Sequence, residues 1–134
     1  MTFREADLEF GKVRGIDGNK ITVRASKLEC NFNNKIELVE VGVFVNCGAG
    51  HGDTICSLNK IQIEEIEKKV HDKDGNITFK QEQVNTVELS IVGHIKDGVF
   101  SRGIDRLPSI NCECYLLTDE QTNCILGINE KDDC

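Results

Sequence analysis

Apolar and polar residues alternate with period two through much of the chain. In Lys20–Ser26, Ile21, Val23 and Ala25 alternate with Lys20, Thr22, Arg24 and Ser26, as in a strand with one buried face. Thr86–Ile91 repeats the pattern, and Gly11–Ile16, Val41–Cys47, Thr54–Ile66 and Glu113–Leu117 are further β-rich stretches. Asp17-Gly18, Asp74-Gly75 and Asp97-Gly98 lie between them, where hairpin reversals need positive φ at low cost. Residues 67–85, the most polar interior stretch, predict a protruding hairpin centred on Asp74-Gly75. Strands joined by short turns at this spacing predict an all-β fold, a small closed or nearly closed antiparallel barrel of about six strands.

Helical signal is confined to one place. Thr118-Asp-Glu-Gln121 has the capping-box pattern, in which the threonine hydroxyl and the glutamine side chain satisfy free backbone groups. It predicts one short helical turn near residues 119–124, against the barrel. Glu64–Lys69 has helix-forming residues but continues a β-like stretch into the polar hairpin. It therefore reads as the charged end of a strand, because propensity yields to context.

The chain of 134 residues has room for one ordinary domain. Its 39% hydrophobic and 29% charged residues are globular in proportion, and no apolar run approaches the roughly 20 residues that span a bilayer. Without a basic and apolar leader at Met1–Glu9, the expectation is a soluble cytoplasmic protein. The net charge of −7 and the absence of Trp argue against a phosphate-backbone binder and against a stacking platform for single strands. Protein partners are the favoured class. The seven cysteines, at 30, 47, 56, 112, 114, 124 and 134, contain no Cys-x-x-Cys pair. They read as free thiols used as small apolar residues rather than as a zinc site or a disulfide scaffold.

Several constellations invite a chemical reading. Gly48-Ala-Gly-His-Gly-Asp53 has the glycines of a phosphate loop but lacks the following Lys-Ser/Thr and helix, so a turn between strands is expected. Cys47, His51 and Asp53 sketch a thiol nucleophile with a base, yet cysteine in an alternating strand is more simply a core residue. His71 is expected in the solvated hairpin and His94 on a strand face or at an interface. Asp72-Lys-Asp-Gly-Asn76 has Ile77 where a calcium loop needs glycine and Gln83 where it needs a bidentate glutamate. Cys112 and Cys114, two apart, share one strand face about 7 Å apart, an arrangement for packing. No catalytic, cofactor or metal residue is assigned.

One set of segments is more specific. Gly93-His-Ile-Lys-Asp-Gly-Val-Phe-Ser-Arg-Gly-Ile-Asp-Arg-Leu-Pro-Ser-Ile110 is followed by Cys114-Tyr-Leu-Leu-Thr-Asp-Glu120. With Gly11–Val23 and Val41–Val45, this ordered set resembles the N-terminal barrel of HerA-type ATPases, the HAS-barrel, across about residues 8–128. The resemblance implies a hexameric ring of DNA-translocating motors. In that ring the barrel forms a collar and docks an effector, either a NurA-type nuclease or a sirtuin-like NAD-consuming enzyme of anti-phage defence. It also implies ATP and magnesium at a motor domain after the barrel, since no Walker A motif occurs in these residues.

The expected organisation is thus a HAS-like barrel over residues 1–128 and the start of a linker to an ATPase domain over 129–134. The barrel itself is expected to be non-catalytic, an assembly and partner-docking domain in DNA end processing or anti-phage defence. Its candidate interface is Phe100, Arg102, Gly103, Asp105, Arg106, Leu107 and Pro108, where glycines and a proline shape a tight excursion and arginines supply charge that sets register. An OB-like nucleic-acid-binding barrel is the alternative.

Overall fold

The computed structural model describes residues 3–49, 52–104 and 107–127. Nine strands occur among them: β1 Glu9–Asp17, β2 Lys20–Ala25, β3 Glu29–Phe32, β4 Lys35–Leu38, β5 Phe44–Ala49, β6 Gly52–His71, β7 Ile77–Lys96, β8 Val99–Arg102 and β9 Glu113–Leu116. A single 3-10 turn, Ala6–Leu8, precedes β1, and one helix, α1, spans Asp119–Ile125.

Six of the strands close on themselves. The sheet runs β2-β1-β9-β5-β6-β7, and β7 pairs back onto β2, every pairing being antiparallel. The fold is a closed six-stranded antiparallel β-barrel, as the period-two pattern predicts, and closure leaves no open edge within the ring. In β2, Ile21, Val23 and Ala25 are buried while Lys20, Thr22 and Arg24 are exposed. The barrel interior is filled from every wall, by Phe10 and Val13 of β1, Val23 of β2, Val45 of β5, Leu58 of β6, Leu89 of β7 and Leu116 of β9.

A second, smaller apolar cluster forms where Ile55, Ile95, Leu117 and Ile125 are buried together, with Phe3, Phe44, Phe100 and Leu126 packed against them. Register places Ile55 opposite Asn46 and Cys56 opposite Val45, so Ile55 points away from the interior that Val45 and Cys56 fill. The helix therefore seals the outside of the wall. Its predicted cap is present: the Thr118 hydroxyl accepts from the Gln121 N–H at 3.2 Å, and the Thr118 N–H donates to Gln121 Oε1 at 2.9 Å.

Two features depart from the sequence reading, and one agrees with it. The strand expected from Val41 begins at Phe44, because Gly42 takes φ 100° in a turn that leaves Val41 exposed. The β3–β4 hairpin turns on Asn33 and Asn34, with φ 51° and 63°; asparagine replaces the Asp-Gly signal there, so no reversal is legible. The strand predicted over Thr54–Ile66 extends to His71 and pairs without interruption from Lys60 with the whole start of β7. The Glu64–Lys69 stretch is strand, and the polar 67–85 segment is a hairpin around Asp74-Gly75.

Candidate functional site

The candidate interface begins at the β7–β8 reversal. Asp97 and Gly98 have φ 53° and 78°, the pair of left-handed residues that a two-residue hairpin turn needs. β8 then runs back along β7, with Ile95 opposite Phe100 and Gly93 opposite Arg102. Gly93 is required by close approach: a Cβ there would lie 2.7 Å from the Phe100 ring and closer still to the Ser101 carbonyl oxygen. Phe100 packs over this position and joins the outer cluster that includes Ile125 of α1.

Beyond β8 the chain leaves the sheet and is fastened at both ends. The Gly103 N–H donates to the Val92 carbonyl at 3.1 Å, and the Asn111 N–H donates to the Val13 carbonyl at 2.7 Å. Between these anchors Ile104, Leu107 and Ile110 are 52%, 49% and 53% exposed, and Val99 at the start of β8 is 63% exposed. Arg102 and Gly103 are exposed, while Pro108 is buried. The seven candidate residues therefore divide. Phe100 is packed against the outer cluster and Pro108 is buried, whereas Arg102, Gly103 and Leu107 are exposed to solvent. Asp105 and Arg106 lie outside the described residues. Sequence reasoning passed over Val99, Ile104 and Ile110; the available signal was an apolar residue between glycine, proline and charge, with no alternating neighbour to pack it.

The thiols lie elsewhere. Cys47 of β5 stands opposite Cys114 of β9 with the two sulfurs 3.3 Å apart, and both residues are fully buried. Donation from Cys114 and Cys56 lowers the Cys47 pKa. The same hydrogen bonds, and then burial, push Cys56 and Cys114 up. Cys112, before β9, points its sulfur at the Gly48 carbonyl. Five cysteines, Cys30, Cys47, Cys56, Cys112 and Cys114, are free thiols. Cys124 departs from that expectation, being disulfide-bonded.

The sketched nucleophile is not assembled by these residues. Cys47 faces the sealed interior, while Asp53 is engaged by Arg4, whose Nε lies 2.5 Å from Asp53 Oδ1. Arg4 Nη2 also donates to the Gly52 carbonyl at 2.5 Å. A Cβ at Gly52 would come within 2.6 Å of the Ile95 carbonyl oxygen, so this glycine serves strand packing. His51 lies outside the described residues. In the Asp72–Asn76 turn, Asp72 Oδ1 accepts from the N–H groups of Asp74 and Asn76 at 2.9 and 2.8 Å, the arrangement of an Asx turn. His94 is half-buried on β7 opposite Thr54, and His71 is exposed at the end of β6.

Among the described residues, no group of three or more His, Cys, Asp or Glu is placed to hold a metal ion. No helix among them is long and apolar enough to cross a membrane. Compared with protein-family models and with curated proteins, the chain matches none.

Proposed function

We propose that this barrel is a non-catalytic assembly and partner-docking domain of a HerA-like hexameric ATPase and DNA translocase of the cytoplasm. It couples the motor ring to an effector nuclease or sirtuin-like enzyme in DNA end processing or anti-phage defence. The observation that carries this reading is the excursion after β8, which is anchored at Gly103 and Asn111 yet leaves Ile104, Leu107 and Ile110 about half exposed. Exposed apolar side chains between two backbone anchors, beside an arginine, have the composition of an interface core and rim. ATP and magnesium belong to the motor domain of the proposed parent, and the residue-level resemblance over 8–128 supplies the link to that parent.

The test is assembly of the parent protein with its effector. Arg102→Glu combined with Leu107→Asp should leave the barrel folded and weaken ring formation or effector capture, read by light scattering and co-purification. Unchanged assembly and capture would reduce the excursion to scaffolding. A Gly-x-x-x-x-Gly-Lys-Ser/Thr motif in the reading frame of the parent is the accompanying expectation.

A further inference from the structure

Beyond the barrel, β6 and β7 continue as a two-stranded arm. The barrel neighbours stop early: β5 pairs with β6 only over Gly52–Ser57, and β2 pairs with β7 only over Asn85–Ser90. From Ile63 to His71 the arm therefore extends roughly 27 Å, at about 3.4 Å per residue, with both outer edges unpaired among the described residues. The Ile91 N–H of β7 points outward to the Asn19 carbonyl, whereas the Asp72 N–H points inward to Asn76. Strand alternation then aims the backbone groups of Ile77, Phe79, Gln81 and Gln83 outward from the free edge. Phe79 and Ile77 are also 63% and 47% exposed. An apolar, hydrogen-bond-ready edge is a template for another strand.

Charge says which strand it fits. The half of the arm near the barrel carries Glu64, Glu65, Glu67 and Glu82, and the outer half carries Lys68, Lys69, Lys73 and Lys80 against Asp72 and Asp74 of the turn, a net positive charge. Two arms side by side in the same direction set acid beside acid, while two arms in opposite directions set acid beside base. On the β6 edge, every two-fold register centred on residues 64–68 still opposes like charges, for example Glu65 to Glu67. On the β7 edge, the register centred on Gln81 opposes Lys80 to Glu82 twice and like charges nowhere. It also places Thr78 opposite Val84, just within the length that β2 leaves free. Cross-strand partners of unlike charge stabilise a sheet and like charges weaken it.

We propose that two copies of this chain associate through their arms, the β7 edge of each pairing antiparallel with that of the other, Lys80 opposite Glu82. This contact is separate from the excursion at 99–110 and does not depend on the motor reading.

The experiment is sedimentation equilibrium of the 134-residue chain in reductant, with wild type, Lys80→Glu, Glu82→Lys and the double charge swap. Wild type should dimerise with concentration. Each single variant, which turns two unlike pairs into two like pairs, should bind about tenfold more weakly or worse. The double variant should return to near wild-type affinity. Glu82 also lies 4.0 Å from Lys68 of its own chain, and Lys80 stands directly opposite that Lys68, so both single changes also alter a contact within the arm and the double charge swap is the deciding comparison. A variant with residues 64–84 replaced by Asn-Gly should keep the barrel and remain monomeric. A wild-type chain that stays monomeric, a double variant without recovery, or a shortened chain that dimerises like wild type would each overturn the pairing. None of these three results bears on the Arg102 and Leu107 test.

Discussion

Ile21 of β2 stands directly opposite Leu89 of β7, both without solvent exposure, and their pairing joins the first hairpin to the far side of the sheet. Without it the remaining strands would form an open sheet with two apolar edges. Leu89→Ala is expected to lower stability by about 2–5 kcal/mol, the range for a buried leucine whose surroundings relax only partly. Urea unfolding measures this, and a loss below about 0.5 kcal/mol, the scale of a surface substitution, would place Leu89 outside the packed core.

Gly93 and Gly15 should respond oppositely to the same change. A Cβ at Gly93 strikes the Phe100 ring and the Ser101 backbone, whereas the nearest atom to a Cβ at Gly15 is 3.9 Å away. Gly93→Ala is expected to destabilise by about 1–3 kcal/mol through forced movement of β8. Gly15→Ala should be neutral or slightly stabilising, since it restricts the unfolded chain. Thermal midpoints of the two variants, taken together, check the close approach of β8 to β7.

The capping box at Thr118 holds the first turn of a helix only seven residues long. Thr118→Ala should cost about 1 kcal/mol, with the effect concentrated on α1 and the outer cluster around Ile125. Faster amide exchange in α1 than in β2 of the variant is the expected signature. Uniform acceleration throughout the barrel would show that the helix does not behave as a separable cover.

Cys30 links stability to pH. Burial pushes its thiol up, with Lys27 opposing and Glu37 adding to the shift. A raised acid keeps its proton longer in the folded chain than in the unfolded one. The associated stability is fully present below the unfolded thiol range, near pH 8.5. It is lost as pH rises from there through the folded value. Urea midpoints from pH 7 to pH 10 should therefore fall less steeply for Cys30→Ala than for wild type, and parallel slopes would contradict the linkage.

The arm should be the least protected sheet in the molecule at low concentration. Glu65, Glu67, Lys69 and their partners on β7 are exposed, whereas Cys56 and Leu58 on the same strand are buried. Hydrogen exchange over 64–84 is expected to outpace that over 54–58 and to slow as concentration rises, because local opening costs least where few apolar contacts must break.

Much of the barrel was legible along the chain because strand burial has a local cause. A period-two pattern such as Ile21, Val23 and Ala25 allows only one face to be hidden, and Asp97-Gly98 supplies the φ values that a tight reversal requires. The capped helix was legible for the same reason, its donors and acceptors lying three residues apart. What the residues alone left undecided was everything non-local. The β2–β7 closure joins residues that no short-range pattern connects. The packing of Phe100 into the outer cluster depends on where β8 lies against β7. Cys47 and Cys114 face each other only because β5 and β9 become neighbours. The free β7 edge exists because β2 ends at Ala25, and strand length there is set by packing around the barrel, which alternation cannot encode.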